Sequence, residues 1–392
     1  MSSTTLPTDH LFVDRWSPPV SYDLSIAEDR KEFESLRGTE GVRVYDRLDL
    51  IASDLSKIAS PGDDRIAADT RLKLQGEIME AGDQYGMWFA FSWRNALVHY
   101  APRTDHRLLR TARNRELFTA EEQARLFDAS IAVFGLSVGS NVLESLVRGG
   151  VGGRLLYGDP DTVSPTNMNR MSVGQLDLGA SKMDVLAKTI SELDPYINQV
   201  HADGGYQKGV TDSLVADFRP DVIIDEVDDL PTKARLRLLA RELGVTVLMA
   251  TDLGHKVILD VERYDQPGQR LFNGRLDPAL VTRMSEDRLT DKEKKECVVK
   301  LVGLRHASPR MIRSFTRLGE TLPGIPQLGS TARMAGSIAT IAVQDLILDR
   351  KVAAGRHVIS PRRAAGLGRE TGIRESTTIY RDFLQKVRKQ KS

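Results

Sequence analysis

The feature that most constrains the fold is an alternation of short apolar runs with helix-like runs, which begins at Ile131. The apolar runs contain many β-branched residues and lie at 131–135, 154–158, 221–225, 245–250 and 256–263. Helix-like runs at 141–148, 182–193 and 232–243 separate several of them. Continuous apolar strands joined by helices are typical of a parallel sheet that is covered on both faces. The pattern therefore predicts an α/β fold with a Rossmann-like, doubly wound, mostly parallel sheet.

A glycine-containing turn joins the first apolar run to the helix that follows it. Gly135, Ser137 and Gly139 form this turn, which does not complete the G-x-G-x-x-G pattern. Such a turn lets phosphate approach the backbone, and the N-terminus of the helix favours negative charge. Asp159 ends the next apolar run, where a carboxylate can accept hydrogen bonds from ribose hydroxyls. We expect an adenine nucleotide here; the alternative is a tight turn that binds no ligand.

Charged residues downstream of Asp159 indicate which nucleotide this is. Arg170 and Lys182 are two cations close in sequence to the glycine turn, and they suit a triphosphate better than a dinucleotide. Asp225 and Asp228 lie in the sequence Asp-Glu-Val-Asp-Asp, which ends a later apolar run. Carboxylates at a strand end near phosphates are natural Mg²⁺ ligands. We therefore expect ATP and Mg²⁺, although each charged residue alone is also explained by a surface ion pair.

Composition excludes several classes of protein. Lys and Arg number 55 and Asp and Glu number 54, so the net charge is +1 and we expect no nucleic-acid partner. The single cysteine, Cys297, can form neither an intrachain disulfide nor a zinc site built from cysteines. Mean hydropathy is −0.30, and no apolar run is long enough to span a membrane. Residues 1–7 lack the pattern of a secretory signal, so we expect a cytoplasmic location without membrane contact.

The segments on either side of the alternating region differ from it in pattern. Residues 29–82 have helical periodicity, and 87–92 and 96–100 resemble short strands, which predicts a small α+β domain with Trp88 in its core. Between 266 and 329 the periodicity fades and charge rises, as in a long functional loop. Residues 330–348 predict a buried helix, and Lys and Arg predominate after it. We expect an N-terminal domain at 1–110, a nucleotide-binding domain at 111–350 and a basic C-terminal tail at 351–392.

Two segments of the nucleotide-binding domain carry a resemblance to a known family. Residues 161–170 follow the pattern D-x-V-x-x-S-N-x-x-R, except that Thr166 replaces the serine. Residues 225–229 follow D-x-x-D-N, except that Asp229 replaces the asparagine. In these motifs the chain resembles the E1-like superfamily of ubiquitin-activating, ThiF-type and MoeB-type adenylyltransferases. The regions 85–88, 113–115, 135–139 and 260–263 together resemble an actinobacterial branch, in which this part can precede a nitroreductase-like domain.

The resemblance implies a role for each matching residue. The nucleotide would be held by Gly135, Ser137, Gly139, Asp159, Asp161, Asn167, Arg170 and Lys182, and Mg²⁺ by Asp228. Arg115 would reach the γ-phosphate bound by a partner subunit, which implies a homodimer. A crossover loop would follow, and Cys297 lies in it, where some members form a thioester. Lys294, Lys295 and Lys300 would then lower the pKa of this thiol; the alternative is a small buried side chain. Because Cys-x-x-Cys pairs are absent, we expect no zinc.

The implied activity is ATP-dependent adenylation of a carboxylate with release of pyrophosphate. The substrate would be the C-terminus of a ubiquitin-like or sulfur-carrier protein, or of a peptide. The catalytic residues would be Arg115, Arg170, Lys182, Asp228 and Cys297. Two alternatives stay open at this point: an NAD(P)-dependent oxidoreductase and a non-catalytic nucleotide-binding scaffold on the same fold.

Overall fold

The chain divides into two compact units. The computed structural model describes residues 15–303 and 306–389, so the first part of the expected N-terminal domain and the end of the basic tail lie outside the described residues. Among the described residues, one unit combines 15–127, 147–151 and 184–198, and the other combines 128–146, 152–183, 199–303 and 306–389. The first unit therefore takes short pieces of the sequence beyond residue 110.

The first unit is built on a sheet whose described strands number four, in the order β1-β3-β4-β2. Its elements are β1 (Val20–Tyr22), α1 (Ala27–Arg37), β2 (Arg43–Tyr45), α2 (Leu48–Ala59), α3 (Arg65–Ala81), β3 (Met87–Phe91), β4 (Ala96–Tyr100), α4 (Arg103–Thr111) and α5 (Ala120–Asp128). Trp88 is 2% exposed and stacks on His99 with ring centroids 4.5 Å apart. The predicted strands at 87–92 and 96–100 and the core position of Trp88 are confirmed.

The second unit contains the predicted α/β sheet, in which the described strands number seven, in the order β11-β10-β9-β8-β5-β6-β7. Its strands are β5 (Ser130–Phe134), β6 (Arg154–Gly158), β7 (Asn198–His201), β8 (Val222–Asp225), β9 (Thr246–Leu253), β10 (Lys256–Glu262) and β11 (Gly355–Ile359). The pairs β5/β6, β5/β8 and β8/β9 are parallel, whereas β9/β10 and β10/β11 are antiparallel. The doubly wound, mostly parallel fold is confirmed.

The helices that follow α5 belong for the most part to the second unit, although residues 184–193 of one of them are assigned to the first. They are α6 (Gly139–Arg148), α7 (Lys182–Leu193), α8 (Val210–Phe218), α9 (Leu230–Leu243), α10 (Pro278–Ser285), α11 (Asp291–Val302), α12 (Pro309–Phe315), α13 (Gly329–Ile347), α14 (Pro361–Ala364) and α15 (Ile373–Lys389). Helix α13 is the predicted buried helix, with Ala332, Ala335 and Ala339 fully buried. None of the described helices is both long enough and apolar enough to cross a membrane.

Two strands have no counterpart in the sequence prediction. Strand β7 is half-exposed and reads Asn-Gln-Val-His, so it shows no apolar run. Strand β11 lies in the expected basic tail and carries Arg356, whose guanidinium binds both carboxylate oxygens of Asp260 at 2.6–3.1 Å. Both strands are at sheet edges, where one side needs no apolar cover. Part of the expected tail is therefore a strand of the central sheet.

The segment predicted to be irregular, residues 266–329, instead contains the three described helices α10, α11 and α12. Helix α11 begins with a capping box in which the Thr290 hydroxyl and the Glu293 carboxylate bind each other's backbone N–H groups at 3.3 and 2.9 Å. Its charged residues lie on the exposed face, while Cys297 and Leu301 lie on the buried one. The many charges in this stretch concealed its helical period.

Candidate functional site

The second unit contains a cavity of about 540 Å³ where β5, β8 and β9 end. Its polar wall includes Ser137, Arg170, Asp228, Asp252 and Gln327, and its apolar wall includes Leu301, Val302, Met311, Phe315 and Ile325. The carboxyl ends of parallel strands are the usual ligand position in open α/β sheets. The cavity therefore has the position and the mixed lining of a small-molecule site.

Arg170 is held in the polar wall by three hydrogen bonds. Its Nε donates to the Ser137 hydroxyl at 2.7 Å, and its Nη1 donates to the Thr166 carbonyl at 2.9 Å and to the Asn169 side chain at 3.0 Å. No hydrogen bond of Nη2 is found among the described residues. Ser137 thus ties the glycine turn to Arg170. One edge of the guanidinium is left for an anion.

The two glycines of the turn lie in close packing, which requires a glycine at Gly135. Gly135 has a φ of +85°, and a Cβ there would overlap the backbone of Glu226. A Cβ on Gly139 is accommodated only tightly, 3.1 Å from Cγ1 of Val133. Glu226 itself accepts a hydrogen bond from the Ala250 N–H at 2.7 Å, and burial raises its pKa well above the usual range. The turn therefore serves the fold as well as any ligand.

Asp159 lies beside the turn, and its carboxylate already has hydrogen-bond partners within the protein. Its carboxylate accepts hydrogen bonds from the N–H groups of Leu136 at 2.6 Å and Asp161 at 2.8 Å. Lys182 binds Asp159 at 3.3 Å and Asp161 at 2.7 Å through its Nζ. The side chains of Asp159 and Lys182 are each 6% exposed, whereas that of Asp161 is 66% exposed. A nucleotide that binds these groups would have to add to, or replace, the contacts that they make with one another.

Asn167 is buried and stabilises the local backbone. Its Oδ1 accepts hydrogen bonds from the N–H of Ser164 at 2.9 Å and from the Ser164 hydroxyl at 3.2 Å. These bonds close the turn that leads into Arg170, whose own N–H binds the Asn167 carbonyl at 3.0 Å. The structure thus shows Asn167 as a residue that positions the segment carrying Arg170.

The three aspartates of residues 225–229 have three different environments. Asp225 is fully buried and pairs with Lys233 and Arg237, which lower its pKa although burial opposes this. Asp229 caps α9 by accepting a hydrogen bond from the Thr232 N–H at 2.8 Å. Asp228 is exposed and lines the cavity. Asp228 is therefore the member of this motif that is placed to meet a ligand.

The side chains near the cavity can be compared with the ligands that the expected Mg²⁺ requires. No group of three or more His, Cys, Asp or Glu side chains that could hold a metal occurs among the described residues. Mg²⁺ in nucleotide sites is commonly held by one or two carboxylates, with phosphates and water completing the shell. Asp228 fits that mode, in which the nucleotide supplies part of the coordination.

The thiol of Cys297 is in a packed core. Cys297 is fully buried among Phe272, Leu280 and Met284. Burial is the largest cause that raises its pKa, and Glu296 adds to the effect. Lys300 does act to lower this pKa, but the apolar surroundings and the nearby carboxylate outweigh it, so the expected net lowering is wrong. The thiol has the environment of a core side chain rather than of an exposed nucleophile.

Arg115 belongs to the first unit. Its side chain is exposed, and its Nη1 donates to the Ile58 carbonyl at 3.1 Å. It is not one of the residues that line the cavity of the second unit. Of the predicted catalytic residues, the structure brings Arg170 and Asp228 together on that cavity.

The sequence of the chain also identifies the protein family to which it belongs. Residues 110–360 match the ThiF family. The chain belongs to the ThiF family. This membership confirms the resemblance to the E1-like superfamily that the motifs at 161–170 and 225–229 indicated.

Several known proteins are similar to parts of this ThiF-family chain. It is 34% identical over 270 residues to uncharacterized protein MT1398 of Mycobacterium tuberculosis, covering 69% of this chain and 37% of that protein. It is 32% identical over 134 residues to ubiquitin-like modifier-activating enzyme 5 of Oryza sativa subsp. japonica, covering 31% of this chain and 32% of that enzyme. A solved structure of E. coli tRNA N6-threonylcarbamoyladenosine dehydratase matches with a TM-score of 0.43 at 18% identity, covering 62% of this chain and 95% of that one. The chain thus spans well under half the length of these two curated relatives.

Asp252 is among the residues of the ThiF-family cavity that the sequence analysis did not name. Asp252, near the end of β9, is 8% exposed and accepts a hydrogen bond from the Gln327 side chain at 3.1 Å. Burial raises its pKa to about 6, the Arg170 guanidinium opposes this rise, and the Asp228 carboxylate adds to it. The signal was available, because Asp252 follows an apolar run just as Asp159 and Asp228 do.

Proposed function

We propose that this chain uses ATP to adenylate a carboxylate and releases pyrophosphate. The observation that carries the proposal is the cavity at the strand ends, which has Arg170 and Asp228 in its polar wall. Membership of the ThiF family supports the same reaction. The apolar wall opposite is suited to the acyl chain of the carboxylate.

The reaction is an in-line displacement at phosphorus. A carboxylate oxygen attacks the α-phosphate of ATP, a new oxygen–phosphorus bond forms, and the bond to pyrophosphate breaks. Negative charge grows on the phosphate oxygens, and Arg170 stabilises it because Ser137 and Thr166 hold the guanidinium in place. Lys182 can supply a second positive charge if its Nζ turns from Asp161 toward the phosphates.

A bound Mg²⁺ would neutralise phosphate charge and orient the leaving pyrophosphate. Asp228 would be its protein ligand, and the phosphates and water would complete the coordination. Asp159, beside the glycine turn, would accept hydrogen bonds from the ribose while keeping its bond from the Leu136 N–H. No zinc enters the proposal.

The proposed substrate is the C-terminal carboxylate of a small ubiquitin-like or sulfur-carrier protein, or of a peptide. A relative named for activation of a ubiquitin-like modifier supports this class. We further propose a cytoplasmic homodimer in which Arg115 of one subunit reaches the γ-phosphate in the other. The burial of Cys297 disfavours a thioester on this residue, and adenylation does not require one.

The other two functions have less support. An NAD(P)-dependent oxidoreductase is not favoured by membership of the ThiF family, and it would leave Arg170 and Asp228 without a role. A nucleotide-binding scaffold without activity would use the same cavity, so only a measurement of turnover distinguishes it from the enzyme.

Thermal unfolding with Mg·ATP, NADH or NADPH separates the two ATP-binding functions from the oxidoreductase. A ligand at about 100 times its dissociation constant adds roughly 2.7 kcal/mol to stability. We expect stabilisation by Mg·ATP alone, a smaller effect in Arg170→Ala, and a full effect in the control Arg241→Ala, an exposed residue outside the cavity. Stabilisation by a nicotinamide cofactor instead would contradict the proposal.

Turnover then separates the enzyme from the scaffold. In the presence of a competent carboxylate, wild-type protein exchanges pyrophosphate with ATP, and Arg170→Ala loses roughly 100-fold in rate, as expected for one preorganised donor. ATP binding without exchange for any candidate carboxyl terminus would favour the scaffold.

A further inference from the structure

One asparagine side chain joins two parts of the cavity wall. Asn169 Oδ1 accepts a hydrogen bond from Nη1 of Arg170 at 3.0 Å, and Asn169 Nδ2 donates to the Gln327 carbonyl at 2.9 Å. Arg170 and Gln327 both line the cavity. An amide has an acceptor at one end and a donor at the other, so it can bind a guanidinium and a carbonyl at once. Asn169 therefore connects Arg170 to the segment that contains Gln327.

We call this segment, residues 323–328, the strap. It precedes α13, forms neither helix nor strand, and contributes Ile325 and Gln327 to the cavity wall. Its first five residues have two hydrogen bonds to other described residues, and Gln327 makes both. The Gln327 carbonyl accepts from Asn169, and the Gln327 side chain donates to Asp252 at 3.1 Å. Few hydrogen bonds thus hold the strap in place.

The tie between Asn169 and the strap is close but weak. A Cβ on Gly329, the first residue of α13, would lie 2.1 Å from the Asn169 carbonyl oxygen, so the start of α13 packs directly on Asn169. Asn169 is exposed, however, so water competes for its hydrogen bonds and each contributes little. A weak tie opens readily, and a ligand that fixes one end of it shifts the balance toward the closed state.

We propose that Asn169 is a positioning residue that couples nucleotide binding at Arg170 to closure of the strap. Phosphate bound at the free edge of the Arg170 guanidinium immobilises the partner of Asn169 Oδ1. The amide then already points at Gln327, so closing the strap costs less conformational entropy. This inference rests on the proposed function and adds an order to it: the apolar wall that carries Ile325 is completed after the nucleotide has bound.

Proteolysis under native conditions measures opening of the strap, because a protease cuts the open form of a loop. Thermolysin cuts before large apolar residues such as Leu328. The rate of cleavage between residues 322 and 329 is followed by mass spectrometry of the fragments. It is measured with and without a saturating α,β-methylene analogue of Mg·ATP, which cannot release pyrophosphate. The proteins are wild type, Asn169→Ala, Gly329→Ala and the control Asn198→Ala, which changes an exposed asparagine on β7.

We expect the analogue to slow this cleavage about threefold or more in wild type and in Asn198→Ala. Asn169→Ala lacks the tie, and Gly329→Ala displaces α13 from Asn169, so the analogue should protect neither. Because coupling is reciprocal, both variants should also bind the analogue more weakly in titration calorimetry, by up to the protection factor that they lose. A loss of stability alone would speed cleavage equally with and without the analogue, so the ratio of the two rates identifies the coupling.

Protection that persists in Asn169→Ala would overturn the proposal, because it would come from direct shielding by the nucleotide. Equal cleavage of wild type with and without bound analogue, or no cleavage of the strap in any of the proteins, would overturn it too. In each of these cases the adenylation site stands. If the analogue does not bind wild type, the proposed function fails, and faster cleavage of Asn169→Ala would then show a purely structural tie without coupling. The wild-type comparison needs no variant, so a misfolded variant does not spare the proposal.

Discussion

Charged residues of the candidate site hold the fold together as well as being available to a ligand. Lys182 is the clearest case, because its Nζ joins a buried carboxylate, Asp159, to an exposed one, Asp161. Removing one partner of a buried ion pair leaves an uncompensated charge, whereas an exposed pair contributes little. The stability of a site variant therefore has to be measured before a loss of its activity is attributed to catalysis or binding.

The Lys182 contacts predict unequal effects from two substitutions. Lys182→Met should lower the free energy of unfolding by about 3 kcal/mol, because it leaves the Asp159 carboxylate buried without its cation. Asp161→Asn should lower it by less than about 1 kcal/mol, because Asp161 is largely exposed. Urea unfolding at pH 7 without nucleotide measures both values. A loss in Lys182→Met as small as that expected for Asp161→Asn would show that the buried pair does not stabilise the fold.

At the scale of elements, burial decides what the sequence could predict. Strands β5 and β8 are buried along their whole length, so each is a continuous apolar run from which the strand could be predicted. Helix α11 exposes one side and carries many charges, helices α10 and α12 are only 8 and 7 residues long, and strand β11 has no fully buried residue, so no long apolar pattern marked them. The resemblance singled out Asp228 as the ligand-binding aspartate of residues 225–229. The roles of the other two needed the structure, because Asp225 pairs with Lys233 and Arg237. Asp229 caps α9.

Two helical glycines should respond to the same substitution in opposite ways. A Cβ at Gly76, in α3, would have no atom within 4 Å, so Gly76→Ala should raise stability by about 1 kcal/mol through helix propensity. A Cβ at Gly336, in α13, would lie 2.6 Å from the Asn141 backbone, so Gly336→Ala should lower stability by about 1–3 kcal/mol. Urea unfolding of both variants tests this. A stabilised Gly336→Ala would show that α13 does not pack closely on α6.

The contact between the end of β8 and β9 predicts a dependence of stability on pH. Burial raises the pKa of Glu226, so the folded state keeps a proton that the unfolded state loses above about pH 4.3. Stability should then fall as pH rises toward the folded pKa, by up to about 1.4 kcal/mol per pH unit.

The variant Glu226→Gln isolates this effect, because the amide keeps an acceptor for the Ala250 N–H and has no proton to lose. Urea unfolding in EDTA at pH 5, 6, 7 and 8 should show wild type losing stability relative to Glu226→Gln at each step. A constant difference between the two proteins would mean that Glu226 is ionised in the folded state throughout this range.

At the scale of the whole molecule, the main question is how many chains build one active site. Arg115 lies in the first unit and Asp228 in the second, and only Asp228 lines the cavity. The proposed homodimer accounts for Arg115 by placing it against the nucleotide of the partner. A site shared between two copies related by a two-fold axis would make each copy dependent on the other.

Mixing two defective variants tests this dependence. Arg115→Ala and Asp228→Asn should each bind a non-hydrolysable Mg·ATP analogue weakly on their own. If Arg115 acts across the dimer, each mixed dimer contains one intact site and one doubly defective site. After subunit exchange in equal amounts, calorimetry should then find tight binding in about a quarter of the chains. Sedimentation equilibrium of the wild type should show a dimer. Tight binding by wild-type monomers, or no recovery on mixing although exchange is complete, would mean that each chain binds its nucleotide alone and that Arg115 has no role across a dimer.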